Sequence, residues 1–327
     1  MTGQPAAHPT LATEALHVDY PMPEGMAAAV RGVSFSVGAR ECVGVVGESG
    51  SGKTQLFLAV MGLLPGSARI SGSARFEGAE ILGLAPPDLN RIRGSKLTMV
   101  FQDPMMSLTP HLKIGVQLAE VLVHHRGLSW QDAARTALHA LDRVRIPDPK
   151  RRLQQYPHEL SGGMRQRVMI GMSLLCEPSL VIADEPTSAL DVTVQAQILD
   201  LLREVRAGTG ISIVLISHDL GVVASLADRV AVMYAGRIVE SAPTAHLTRD
   251  ARHPYTSLLM QCVSDLDRAR TDRMPFLAGQ APGAAEPERG CAFAPRCPRS
   301  TERCVLERPA LENVDDMSQV ACHHPLR

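Results

Sequence analysis

The chain has 327 residues, a formal net charge of −1, 45% hydrophobic residues and 3% aromatic ones. A charge this close to zero excludes a global electrostatic pull toward nucleic acid or anionic lipid, and so few aromatics argue against a base-stacking surface for single strands. The length accommodates one large domain with an appendage, or two modest domains.

Met1–Thr10 is polar and contains Pro5 and Pro9, so no secretory leader is read there. Alternation in Leu16–Tyr20 and in Val33–Val37 predicts two strands, with Pro21, Pro23 and Gly25 as the turn between them. Cys42–Val46 is an apolar run leading into a glycine-rich loop and predicts a buried strand. Lys53–Leu64 has helical spacing and stops at Pro65-Gly66. Helical periodicity then covers Ile114–Arg145, interrupted around Gly127–Ser129, where Ser129 with Asp132 has the pattern of a helix start. Pro147 and Pro149 close that block. A helix is predicted from Gly163 to Cys176, a short buried strand at Leu180–Ala183, and a helix Val192–Arg206 with Asp191 as its N-cap. After Gly208-Thr209-Gly210 comes a strand at Ile211–Ile216. Alternating strands and helices of this kind imply a mostly parallel sheet with helices on both faces. The most apolar stretches, such as Val168–Cys176, stop far short of the ~20 residues that span a bilayer, so membrane association is expected through a partner. Beyond about Asp250 the composition shifts toward Pro, Arg and Cys, marking a separate appendage.

Gly47-Glu48-Ser49-Gly50-Ser51-Gly52-Lys53-Thr54 fits G-x-x-x-x-G-K-[ST] between a strand and a helix. Glycines allow successive backbone N–H groups to surround phosphate oxygens, and the helix N-terminus favours negative charge. Lys53 is expected to reach the terminal phosphates and Thr54 to hold Mg²⁺. Asp184 and Glu185 follow an apolar strand at its C-terminal end, where α/β sheets bind ligands. Asp184 is expected to bind Mg²⁺ through water, and Glu185 to orient and polarise the attacking water. Taken alone, the pair could be a solvated strand end, and the loop upstream favours the catalytic assignment. His218, just past the strand Ile211–Ile216, could donate to the γ-phosphate and hold Glu185 in register, although a lone histidine is more often structural. Gln102, after the short apolar run ending at Phe101, can ligate Mg²⁺ or the water through its amide oxygen.

Leu160-Ser161-Gly162-Gly163-Met164-Arg165-Gln166-Arg167 opens a helix upstream of the acidic strand, and a serine hydroxyl with backbone N–H groups at a helix N-terminus makes a second anion-binding device. Together with Asp184-Glu185-Pro186-Thr187-Ser188-Ala189-Leu190-Asp191, this stretch resembles the signature of the ABC ATPase subunits. The resemblance covers Leu16 to about Glu240, with the motifs in the family's order and Met164 standing where Gln is commonest. It implies a P-loop (RecA-like) α/β core with a mostly parallel sheet, an N-terminal antiparallel β subdomain and an α-helical signature subdomain at about 104–176. Residues 1–250 would form the ATPase domain and 251–327 a C-terminal extension. It further implies that Ser161, Gly162 and Gly163 reach the γ-phosphate held by a second ABC subunit, head to tail, with Ser188–Asp191 at that contact. Gln102 and Ile114–Arg145 would then face the membrane partner. Tyr20 would stack on adenine, although a tyrosine on an alternating strand is often simply packed.

His253-Pro254-Tyr255-Thr256 with Leu258-Leu259 resembles the oligopeptide, dipeptide and nickel importer branch. The function implied is an import ATPase on the cytoplasmic face of the cell membrane, serving two membrane permease subunits, a second ATPase chain (a paralogue or a second copy) and an external solute-binding protein. Peptide leads as the solute, with nickel or a metal chelate next. Two other classes are a soluble ABC protein acting on DNA or ribosomes, which lacks its usual coiled-coil insertion here, and a regulatory module without hydrolysis, which intact Glu185 and His218 oppose. Cys291, Cys297, Cys304 and Cys322 are spaced C-x5-C-x6-C-x17-C, which is wrong for zinc knuckles. A 4Fe-4S cluster bracing the extension is the leading expectation, as in some members of the branch, with zinc and unligated thiols as the alternatives. Cys42, Cys176 and Cys262 are read as packing residues.

Overall fold

The computed structural model describes residues 8–23, 25–103, 107–188, 190–262, 279–286 and 289–326. Most of the Met1–Thr10 stretch, Pro104 and Ala189 lie outside the described residues, as does the side chain of Cys262. The chain divides into two compact units, Met1–Val37 with Cys42–Leu82 and Ile216–Arg327, and Gly38–Glu41 with Gly83–Leu215. Along the sequence the described strands are β1 (Leu11–Met22), β2 (Gly25–Val37), β3 (Cys42–Val46), β4 (Arg69–Phe76), β5 (Ala79–Glu80), β6 (Leu97–Val100), β7 (Leu180–Asp184), β8 (Ser212–Ser217), β9 (Arg229–Tyr234), β10 (Arg237–Pro243), β11 (Glu312–Asn313) and β12 (Gln319–Val320).

In the first unit an antiparallel sheet has the order β2-β1-β4-β5. Its long hairpin keeps register from Leu11↔Val37 to Met22↔Gly25, with irregularities near Ala15, which adopts φ +44°. A second sheet runs β11-β12-β10-β9-β3, with β3 parallel to β9. Every residue of β3 is buried. Removing Val43, Val45 and Val46 from water contributes about 1.5–3 kcal/mol each. One face of β3 is sealed by the helix Leu220–Ala224, so closely that a Cβ on Gly44 would lie 1.9 Å from Val223 Cγ1.

In the second unit the strands run β8-β7-β6, with β6 parallel to β7 from Leu97↔Leu180 to Val100↔Ala183. The helices Ile114–Arg126, Trp130–Arg143 and Gly162–Leu174 pack on one another, burying Leu118, Leu122, Ala133, Ala137 and Leu141 between them. Gly127 ends the first at φ +64°, and Ser129 Oγ accepts the Asp132 N–H at 3.1 Å to start the second.

Within the first unit the extension is attached by hydrogen bonds and aromatic packing. β12 pairs with β10, and the Glu240 carboxylate accepts the N–H groups of Arg252 and His253 at 2.6 and 2.9 Å. Tyr234, Tyr255 and Phe293 form a buried triangle with ring centroids 4.6–5.4 Å apart.

These contacts account for the bracing that an iron–sulfur cluster was expected to supply, and that expectation is corrected here. Among the described residues no group of three or more His, Cys, Asp or Glu is arranged to hold a metal ion. Cys291, Cys297, Cys304 and Cys322 are free thiols. Burial pushes the Cys291 and Cys297 thiols up and Cys322 up to about 11. Cys42 and Cys176 are buried.

His253 lies at the heart of the docking contact, 1% exposed, with Nδ1 accepting the Tyr255 N–H at 3.0 Å. Burial depresses its pKa from 6.5 to about 4. The unfolded chain therefore binds this proton more readily than the folded one. The stabilising contribution is full above pH 6.5 and is lost as pH falls toward 4, by roughly 3 kcal/mol over the window. Glu240, raised by burial, acts with the opposite sign above the usual carboxylate range. The difference between wild type and His253→Gln isolates the histidine: on acidification from pH 6.5 to 4.5, the wild-type melting temperature should fall further than that of the variant. Parallel pH profiles would contradict this.

Candidate functional site

In the first unit β3 delivers the chain into Gly47–Thr54, and two of the loop's glycines are dictated by close backbone approach. A Cβ on Gly47, at φ +156°, would lie 2.1 Å from the Met233 carbonyl oxygen, and one on Gly52, at φ +95°, 2.3 Å from that of Ala29. The Ser51 N–H donates to the Glu48 carbonyl at 3.1 Å, and the Gly236 N–H donates to the Ser51 carbonyl at 3.0 Å. Lys53 opens the helix Lys53–Val60 and is 5% exposed. Its ammonium donates to the carbonyls of Gly47 and Glu48 at 2.8 and 3.0 Å, so a buried positive charge sits within the ring of loop backbone. Thr54, half-buried, follows in the first helical turn. A glycine cradle with no room for side chains at Gly47 and Gly52, a buried cation and a helix N-terminus together suit a phosphate chain. The hydroxyl of Thr54 suits a hard divalent cation.

Tyr20, on β1, donates its hydroxyl to Gln55 Oε1, which ties the ring to the helix that follows the loop. Gln55 belongs to no motif, and the sequence gives no signal for it. His218 lies just past β8, exposed, and the next residue, Asp219, caps the helix Leu220–Ala224 by accepting the N–H groups of Gly221 and Val222 at 2.7 and 3.2 Å. The loop has two further partners that no motif indicated. Tyr255 and Arg296, both from the extension, contact Glu48.

In the second unit β7 is buried throughout and ends on Asp184, which is 3% exposed. Glu185 follows at φ +45°, a conformation that costs a residue with a side chain about 1–3 kcal/mol. It is held by the next turn, in which the Ser188 N–H and Oγ donate to the Glu185 carbonyl at 3.3 and 3.2 Å. Gln102 Nε2 donates to Glu185 Oε2 at 3.0 Å, so the structure brings these two predicted residues together. Ser161 caps the helix Gly162–Leu174 by accepting the Met164 N–H at 3.4 Å. Gly163 packs so tightly that a Cβ there would lie 2.7 Å from Val194 Cγ1 on the helix Val192–Thr209. With Ser161 exposed and Gly162 and Gly163 half-buried, this helix start is at the surface.

Residues 30–188 match the family described as ABC transporter, and residues 239–304 match the oligopeptide/dipeptide transporter C-terminal region. The chain is 47% identical to the oligopeptide transport ATP-binding protein OppD of Haemophilus influenzae, over 91% of this chain and 92% of that one. It is 46% identical to the OppD protein of Escherichia coli, over 99% and 95%. Among solved structures, a dimeric ATP-binding cassette in a post-hydrolysis state with ADP and phosphate superposes with a TM-score of 0.65 at 26% identity, over 72% of this chain and 98% of the other.

Proposed function

The chain belongs to the family of ABC transporter ATP-binding subunits, and from that premise we propose that it hydrolyses ATP to drive uptake of oligopeptides through separate membrane subunits. The observation that carries this reading is the glycine cradle around the buried Lys53 ammonium. The names of the 46–47% identical relatives support peptide as the solute.

In this reading Gly47, Ser49, Gly50, Ser51 and Gly52 present backbone to the phosphates, Glu48 belongs to the frame of the loop with its N–H on the Tyr255 hydroxyl, Lys53 neutralises the phosphate charge, and Tyr20 stacks on the adenine. Thr54, Gln102 and Asp184 would hold Mg²⁺, which would offset the negative charge of the triphosphate. Glu185 orients a water and accepts its proton as the water oxygen bonds to the γ-phosphorus. The bond from that phosphorus to the bridging oxygen breaks, leaving ADP and inorganic phosphate. His218 donates a hydrogen bond to the γ-phosphate. Ser161, Gly162 and Gly163 serve the nucleotide held by a second ATPase subunit, a reading in line with the dimeric state of the solved cassette.

Among the described residues no helix is long and apolar enough to cross a membrane. We place the chain at the cytoplasmic face of the membrane, held there by two permease subunits, with an external solute-binding protein delivering the peptide. Assembled transporter in vesicles, with ATP on this chain's side, is expected to accumulate labelled oligopeptide only when ATP is hydrolysed. Accumulation of nickel chelate in place of peptide, or uptake indifferent to ATP, would overturn the assignment.

A further inference from the structure

Glu48 poses an electrostatic problem. It is the second residue of the loop, and its carboxylate stands next to a backbone shaped for anions. Arg296, in the cysteine-bearing part of the extension, meets that carboxylate with both ends of its guanidinium: Nη1 to Oε2 and Nη2 to Oε1, each at 2.9 Å. The arginine side chain is 6% exposed and the glutamate 25%. Arg296 Nη1 also donates to the Tyr234 hydroxyl at 3.1 Å, and the guanidinium carbon stands 5.8 Å from the centre of that ring. On the same residue of the loop, the Tyr255 hydroxyl accepts the Glu48 N–H at 2.9 Å. One loop residue is thus held at its backbone and at its charge by two residues of the extension.

We propose that Arg296 is a positioning residue for the nucleotide: by pairing with Glu48 it neutralises the loop's own carboxylate and holds it aside, so that the extension sets the affinity of the loop for ATP without touching the nucleotide. The inference rests on reading Gly47–Thr54 as the phosphate loop. A planar guanidinium suits the task because it engages both carboxylate oxygens in fixed geometry, which an ammonium cannot do. The extension does not depend on this pair for its attachment. β12 on β10, Glu240 with the Arg252 and His253 N–H groups, and Ala284, whose carbonyl accepts from the Ala28 N–H at 2.8 Å and from Arg31 Nη2 at 3.0 Å, hold it independently.

The test is MgATP binding to the full chain, measured calorimetrically on Arg296→Met, Arg296→Lys, Lys53→Ala and the double variant Glu48→Gln/Arg296→Met. Arg296→Met leaves an unpaired carboxylate beside the phosphates and should weaken binding about tenfold or more. Arg296→Lys should recover part of the loss. The double variant, with no charge left in the loop to repel phosphate, should bind within about threefold of wild type. In the assembled transporter the KM for ATP should rise in Arg296→Met while kcat changes less than about twofold, because the arginine meets neither the water nor the reacting phosphorus. A role confined to docking the extension would not be relieved by Glu48→Gln, so failure of the double variant to regain affinity overturns the proposal, as does Arg296→Met binding like wild type. If Lys53→Ala also binds like wild type, the phosphate-loop reading itself fails. If only Lys53→Ala weakens binding, the inference alone is lost. Should Arg296→Met fail to accumulate folded, the same comparison is made with Arg296→Lys, alone and combined with Glu48→Gln.

Discussion

Phosphate release by the Glu185→Gln variant is expected to fall about 10²–10⁴-fold, the range lost with a general base, while MgATP remains bound. The substitution keeps the size of the side chain and its capacity to accept from Gln102 Nε2, the 3.0 Å contact seen in the native chain. It removes the negative charge and with it the basicity. The backbone strain at φ +45° is carried by the turn through Ser188 and is not relieved by the change. A chain that binds ATP without cleaving it should stay paired with its second ATPase subunit, so sedimentation in MgATP should show a persistent dimer. Single-turnover phosphate release within a few-fold of wild type would remove Glu185 from the role assigned to it.

The Gly52→Ala variant should lose MgATP affinity by about a hundredfold or more. Its Cβ would meet the Ala29 carbonyl oxygen at 2.3 Å. That carbonyl is strand backbone and cannot give way as a flexible side-chain end would. The φ of +95° adds about 1–3 kcal/mol of strain for any residue with a Cβ. The loop must shift, and Lys53 and Thr54 shift with it. A displacement near 1 Å at groups that position a substrate is worth about 10² in function. Gly66→Ala is the control: it lies outside the loop, its φ is not in the left-handed region and nothing lies within 4 Å of the added carbon, so MgATP affinity should be unchanged. Equal binding by the two variants would contradict the steric account.

Much of the parallel core was legible because its strands are short apolar runs: β3 and β7 are buried at every residue, and such runs leave little doubt about burial. Helix starts were legible where a side chain does the capping, at Ser129 and Asp191. The helix after the loop ends at Val60, four residues short of the expected Leu64, because Gly62 takes φ +61° and turns the chain out. β4 is hard to see in sequence, since only Ala74 and Phe76 of its eight residues are buried and its identity comes from pairing with β1. The β9–β10 hairpin turns at Ala235-Gly236, φ +47° and +82°. Alanine in the first position lacks the Asn or Asp that usually marks such a turn.

At the candidate site the loop, the acidic pair and the signature could be found because each is contiguous and each residue type has a chemical reason for its place. The links of Tyr20 to Gln55 and of Glu48 to Arg296 could not, since their partners are separated by 35 and 248 positions. The cysteines misled for a related reason. Their crowding in sequence suggests shared ligation, whereas the extension is secured by Glu240, Phe293 and Tyr255.

Equilibrium binding of MgATP to the purified full chain, read beside its Lys53→Ala variant, tests the central claim most directly. Saturation at one nucleotide per chain in the wild type, with loss of that binding when the Lys53 ammonium is removed, is the expected result. A chain that takes up no adenine nucleotide, or takes it up undiminished without Lys53, would contradict the account.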